Sequence, residues 1–177
     1  MTKLDVLTYQ PKPNDRFFFD NNIWMYLFCP YNGTNQKKFV DGYSGFLGKV
    51  LDANSKVFVS SLVLSEFYNA YIQIDYRLVR GGNEDFKFKR DYRPSNRFHE
   101  THETIMNTIE SQILGIADRI DDNFSKISVR NLREGAENMD FNDSYYLELK
   151  RFFPFKLVTN DSDLIKIKMD IEILTML

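Results

Sequence analysis

Four acidic residues stand where short apolar runs end or hand over to helices. Asp20 closes Arg16-Phe17-Phe18-Phe19-Asp20, and Asp161 follows Leu157-Val158-Thr159-Asn160. Glu66 lies about one turn into a helix that follows Val57-Phe58-Val59-Ser60, and Asp143 opens a helix ahead of the run at Leu157. Two unit charges about 4 Å apart repel by roughly 4 kcal/mol at an effective dielectric of about 20. Four carboxylates gathered in one place therefore need raised pKa values or a cation among them. Hard oxygen donors favour Mg²⁺ or Mn²⁺, and Mg²⁺ takes one or two carboxylates plus waters. Such a centre lowers the pKa of a bound water and clamps a phosphate oxygen, which is the chemistry of phosphodiester hydrolysis. No Ser–His or Cys–His set lies nearby to compete for a catalytic role.

The elements that must position these acids follow from hydrophobic period. The stretch to about residue 15 carries two prolines and reads as an irregular arm. Residues 16–20 read as a buried strand and 23–28 as a helix, stopped by Pro30 and Asn32-Gly33. Phe39, Tyr43, Phe46, Leu47 and Val50 recur at helical spacing up to about Asn54. Val57-Phe58-Val59 reads as the second strand. Ser60 or Ser61 caps the next helix, whose stripe is Val63, Phe67, Ala70, Ile74 and Leu78. Gly81-Gly82 ends it, and 81–98 reads as an irregular insertion or extended loop. Ile105, Ile109, Ile113, Ile116 and Ile120 mark another amphipathic helix, and 124–129 reads as a weak strand. A helix over 143–152 stops at Pro154, 155–159 is a strand, and the alternating run from Met169 to Leu174 suits an edge strand.

Strands alternating with helices predict a single α/β domain over 1–177, a Rossmann-like three-layer α/β/α sandwich with a mostly parallel central sheet. In such sheets, sites form beyond the carboxyl ends of the strands. Asp20 and Asp161 fall on that edge directly. Glu66 begins a helix there, and Asp143 begins a helix that runs antiparallel to the strand it feeds. Topology thus predicts that the four meet. Each acid alone also fits a blander role: Asp after a strand is a common loop residue, and Asp143 at a helix start fits a cap.

Bulk properties narrow the function. A net charge of -2 argues against a generic basic nucleic-acid binder, although local patches can still steer. One cysteine, Cys29, excludes an internal disulfide framework and reads as a buried small hydrophobe in a reducing compartment. With no signal peptide and no apolar run long enough for a bilayer, the expectation is a cytoplasmic protein without membrane association.

Other motifs carry weaker signals. Phe86-Lys87-Phe88-Lys89-Arg90-Asp91-Tyr92-Arg93 interleaves aromatics with Lys87, Lys89, Arg90 and Arg93, which could contact RNA phosphates; a solvated loop is an equal reading. His99 and His102 are three apart, where the metalloprotease motif needs four, so an exposed helix start accounts for them better than zinc. Gly45-Phe46-Leu47-Gly48-Lys49 lacks the spacing and the Ser/Thr of a phosphate-binding loop. Asn22, two positions after Asp20, stands where haloacid-dehalogenase-like phosphatases need a second Asp.

The acidic blocks resemble those of the PIN-domain family. Phe-Phe-Phe-Asp20-Asn21-Asn22-Ile23 is similar to its opening strand ending in Asp-x-Asn, and Val-Ser-Ser-Leu-Val-Leu-Ser-Glu66 to its second block. Phe141-Asn142-Asp143-Ser144-Tyr145-Tyr146 resembles the third, and Leu157-Val158-Thr159-Asn160-Asp161-Ser162-Asp163-Leu164 the fourth. The resemblance implies a Mg²⁺- or Mn²⁺-dependent ribonuclease, an endonuclease, with Asp20, Glu66, Asp143 and Asp161 as metal ligands or water-positioning groups. It implies that Asp163 substitutes for or assists Asp161 as a metal ligand, that Asn22 and Thr159 support Asp20 and the strand-end turn, and that Asp140 is a weaker rival to Asp143. Many members resembling this length are VapC-type toxins, which implies an antitoxin partner and a homodimer. The chain departs from them in its 81–98 segment and in carrying Tyr145, Tyr146 and Leu147 where an alanine-rich helix is usual. The alternative is a catalytically inactive PIN-like module that binds RNA or protein.

Overall fold

The computed structural model describes residues 2–31, 36–135, 139–166 and 170–177. Its strands are β1 (Thr2–Asp5), β2 (Arg16–Phe19), β3 (Lys56–Val59), β4 (Asp118–Arg119), β5 (Lys156–Val158) and β6 (Glu172–Thr175). They form one parallel sheet in the order β1-β6-β5-β2-β3-β4. Helices α1 (Asn21–Phe28), α2 (Lys37–Asp52), α3 (Ser61–Arg80), α4 (Asn96–Thr108), α5 (Leu114–Ile116), α6 (Val129–Gly135) and α7 (Phe141–Leu149) complete the α/β/α arrangement.

The three phenylalanines of β2 show why its run is unbroken. Successive strand side chains point to opposite faces. Phe17 and Phe19 meet Phe46 of α2 at 5.4 and 6.2 Å between ring centroids. Phe18 meets Tyr146 of α7 at 5.1 Å and Phe155 at 4.8 Å on the other face. All three are fully buried, as expected for a central strand of a parallel sheet covered on both sides.

Several expected elements differ. The N-terminal arm is not irregular: β1 pairs with β6 along Thr2↔Glu172 to Asp5↔Thr175, so β1 rather than β6 holds that edge. Its mostly exposed, short run carries little periodic signal, and its partner is remote in sequence. The stretch 124–129 is no strand. It holds a tight helical turn at Phe124–Lys126 and the first residue of α6, because Asn123 turns the chain in a left-handed conformation with φ 50°. The strand here is β4, and Ile120, expected on a helix, donates its N–H to the Val59 carbonyl. The isoleucine helix instead runs from α4 through a wide i→i+5 turn, Ile109–Ile113, into α5.

The 81–98 segment contains a similar wide turn, Phe88–Tyr92, and the start of α4 at Asn96. The expected stripe of α3 holds at Val63 and Phe67 but then passes through Tyr71, Ile72 and Asp75, leaving Leu78 exposed. Helix α7 starts at Phe141 and ends at Leu149. Asn32, Gly33 and Met169 lie outside the described residues.

Candidate functional site

The chain reverses its direction of travel across the sheet between β2 and β5. From β2 it proceeds to β3 and β4, then returns to lay β5 on the other side. Such a switch point is where ligands bind in open α/β sheets, here beyond the carboxyl ends of β2 and β5. The register Phe19↔Val158 sets Asp20 opposite Thr159. Thr159 Oγ1 donates to Asp20 Oδ2 at 2.7 Å, and the Asn21 N–H donates to Asp20 Oδ1 at 2.6 Å. Asp20 is thereby the N-cap of α1, and its side chain is only 5% exposed.

Asn22 ties the two strand ends together. Its Nδ2 donates to Asp20 Oδ2, and its Oδ1 accepts from the Asn160 N–H at 3.1 Å. Thr159 Oγ1 also accepts the Asp161 N–H at 3.0 Å, which shapes the turn after β5. Asp161 Oδ1 accepts the Asp163 N–H at 2.7 Å, and the exposed Asp163 pairs with Lys166 at 3.3 Å. Tyr43 of α2, absent from the sequence-derived set, donates to Asn160 Oδ1 at 3.0 Å and braces the same turn from below.

The other two acids arrive on helices. Ser60 caps α3, accepting the Val63 N–H at 3.4 Å, and Glu66 follows in the second turn. Glu66 accepts from Asn142 Nδ2 at 2.6 Å and from the Tyr146 hydroxyl. Tyr146 thus reaches an acid; its i+4 spacing from Asn142, which bonds the same carboxylate, puts the two on one face of α7. Asp140, not Asp143, caps α7: its Oδ1 accepts the Asp143 N–H at 2.9 Å. The bland explanation of Asp143 therefore passes to Asp140, and the Asp143 carboxylate is not spent on a cap.

The electrostatics show the acids sharing one field. Burial raises Asp20 to about 7, against its Thr159 and Asn21 hydrogen bonds, with Glu66 and Asp161 adding to the rise. Asp143 is pushed up to about 8 by burial first, then by Asp140, Asp20, Asp161 and Glu66. Glu66 is raised by burial, against the donors Tyr146 and Asn142, with Asp140 contributing. Burial and then the negative Glu66 hold the Tyr146 hydroxyl strongly protonated. As the side chains are placed, no three His, Cys, Asp or Glu among the described residues form a group that could hold a metal ion. Asp20 and Asp143 feel the other acids without the four closing into a cage.

Residues 86–93 lie elsewhere. Phe86 and Phe88 pack on Tyr76, which follows Glu66 by ten residues, roughly 15 Å along α3. Their rings are therefore committed inward. Arg90 bonds Asp91 and the Asp85 carbonyl, and Lys87 the Glu84 carbonyl; Lys89 and Arg93 are exposed. His102 Nδ1 meets the Tyr68 hydroxyl at 2.8 Å, His99 is exposed, and Cys29 is buried.

Beneath this segment lies Asp75, which the apolar stripe had passed over. It is 0% exposed and accepts from Tyr92 at 2.6 Å, Thr101 at 3.0 Å, Tyr31 at 3.0 Å and Arg97. Burial pushes its carboxyl up, but the four donors, Arg97 foremost, outweigh it and hold the group below the usual range.

No family model matches the chain, and no curated protein matches it in sequence. Among solved structures, VapBC2 from Rickettsia felis, bound to a DNA fragment from their promoter, is similar. It aligns with a TM-score of 0.56 over 90% of this chain and 98% of that one, at 16% identity. At that identity the likeness is one of fold. Among the described residues no helix is long and apolar enough to cross a membrane.

Proposed function

We propose that this chain is a divalent-cation-dependent ribonuclease of the VapC-like PIN type, with Mg²⁺ or Mn²⁺ held at the carboxyl edge of the sheet. The observation that carries the reading is the raised pKa of two separate acids, Asp20 and Asp143, through burial reinforced by their acidic neighbours. A cation is the natural counter-charge for such a field. Asp20, pre-oriented by Thr159 and Asn22, and Asp143, freed of the capping role, are the leading ligands, with Asp161 beside them. Mg²⁺ needs one or two carboxylates and keeps its waters, so a ready-made cage of three is not required. Glu66, engaged by Tyr146 and Asn142, serves best as a group that orients water; Asp163 is a peripheral helper to Asp161. The bound cation would supply an activated water and a clamp on the phosphate oxygen.

The resemblance to VapC-type toxins, together with the fold shared with VapBC2, supports an antitoxin partner and a homodimer. The exposed cations Lys87, Lys89, Arg90 and Arg93 are proposed as remote phosphate contacts that steer RNA rather than stack its bases. The separation of the carboxylates as placed favours a second reading, an inactive RNA- or protein-binding module. One experiment divides the two: Mn²⁺-dependent cleavage of a mixed RNA pool by wild type and Asp20→Asn. Cleavage by wild type alone, abolished by EDTA, supports the nuclease; equal, EDTA-insensitive activity in both sinks it.

A further inference from the structure

Beside the acidic edge two exposed aromatic rings pack against a tyrosine of the core. Phe124 is 61% exposed and Phe141 54% exposed, yet both rings are ordered against Tyr145, which is 4% exposed. Phe124 stacks on Tyr145 at 6.4 Å and 21°, and Phe141 leans on it at 6.0 Å and 37°. The tyrosine is itself fixed, donating to the Asp122 carbonyl at 2.7 Å, while Asp122 accepts from Ser61 at the start of α3. Two large rings are thus held rigidly with their outer faces toward solvent. The hydrophobic effect alone would fold such rings inward.

Their position relative to the acids is set by α7. Phe141 and Tyr145 are one turn apart on one face of that helix. The adjacent face carries Asn142 and Tyr146, which bond Glu66, and the next carries Asp143. The cluster and Asp143 therefore stand within roughly one helix diameter, about 10–12 Å, around the N-terminus of α7. Lys126, two residues after Phe124, is exposed. Open aromatic faces beside basic side chains form the pattern that binds single strands, since every base has a face to stack and phosphates follow the positive charge.

We propose that Phe124 and Phe141, backed by Tyr145, form a subsite on which an unpaired base of an RNA strand stacks, so that a neighbouring phosphate lies over the acidic edge. This rests on the ribonuclease reading and deepens it, because it selects unstacked over duplex RNA. A protein partner on the same rings would need a larger apolar field, whereas these two rings adjoin Lys126 and the carboxylates.

The test uses a short fluorescein-labelled oligoadenylate with one 2-aminopurine, bound to the wild-type chain in Ca²⁺ and in EDTA. Binding by wild type should quench the 2-aminopurine. Phe124→Ala and Phe141→Ala should lose the quench and weaken the Kd roughly tenfold per lost stack. Phe124→Trp should restore both, with the melting temperature unchanged throughout. Affinity and quench insensitive to both alanine variants overturn the subsite, even where Mn²⁺-dependent cleavage is intact. A change of oligomeric state in those variants with RNA affinity unaltered assigns the rings to protein contact and also overturns it. Quench present but Mn²⁺-dependent cleavage absent in wild type leaves the subsite standing and fails the ribonuclease reading instead.

Discussion

Two buried aspartates, Asp20 and Asp75, occupy opposite electrostatic situations in one molecule. Asp75 is surrounded by donors from four directions, and the Arg97 guanidinium brings a full positive charge. Asp20 has hydrogen bonds of comparable length from Thr159 and Asn21, yet its charged neighbours are Glu66 and Asp161. The first carboxyl is held below its ordinary range and the second well above. Burial raises both carboxyls; at Asp75 four side-chain hydrogen bonds, Arg97 foremost, outweigh it, whereas at Asp20 those of Thr159 and Asn21 do not, and Glu66 and Asp161 add to the rise. Around Asp75 the fold supplies its own cation. At the sheet edge the charges that act on Asp20 and Asp143 are those of other acids, and that is the difference between a buried tie and a candidate site.

The contrast can be broken at several strengths. The largest effect is expected from Asp20→Asn. Removing a leading ligand should lower Mn²⁺-dependent cleavage by more than the ~10–100-fold that follows loss of a ligand's hydrogen-bond partner, and Thr159→Val should fall within that range. A single-turnover assay ranks the two, and equal rates for wild type and Asp20→Asn would end the site assignment. Next is Arg97→Ala, which strands the Asp75 charge in the core. Breaking such a pair costs roughly 3 kcal/mol, read as a lower urea midpoint with cleavage by the folded fraction unaltered. A stability like that of wild type would show that Asp75 is compensated without Arg97.

A metal should repair one region and not the other. Mn²⁺ at a hundred times its Kd stabilises by about 2.7 kcal/mol, so thermal unfolding of wild type should shift upward while that of Asp20→Asn does not. The pH dependence runs in opposite directions for the two regions. Asp143 and Asp20 have folded pKa values of about 8 and 7, above the unfolded value, so the metal-free fold loses stability as pH rises through them. Asp143→Asn should flatten that loss between mildly acidic and mildly alkaline pH. Asp75, being lowered, contributes stability above its unfolded pKa that is lost only as pH falls through its depressed folded value. Urea titrations across pH with EDTA present read both slopes, and a wild type that gains stability toward pH 8 contradicts the first.

The smallest effect concerns the segment that Asp75 and Arg97 anchor. Charge reversal at Lys87, Lys89, Arg90 and Arg93 should weaken RNA binding modestly and lower the salt slope by about one per lost phosphate contact. Unaltered binding across salt removes that segment from RNA recognition.

How far the sequence reveals these regions differs for a physical reason. Strands β2, β3 and β5 were legible because both faces are buried, so their runs are apolar without interruption. β1 and β4 were not: one is mostly exposed and the other has two residues, so their identity lies in their pairing. Asp20 and Asp161 were placed by strand ends, whereas the cap of α7 fell to Asp140 because the helix begins two residues earlier than the acid at 143 suggests. The burial of Asp75 left no mark in the local pattern, since its four donors come from distant positions and from the far side of the insertion.

By itself the chain determined which residues carry charge, which runs must be buried, and the order in which acids follow strands; these are properties of local composition and period. Tertiary structure alone decided which acids obtain a cationic partner. Electrostatic energy depends on distance in space, and the parallel crossovers that bring Asp20, Glu66, Asp143 and Asp161 to one edge are the same ones that leave Arg97 beside Asp75 and away from them.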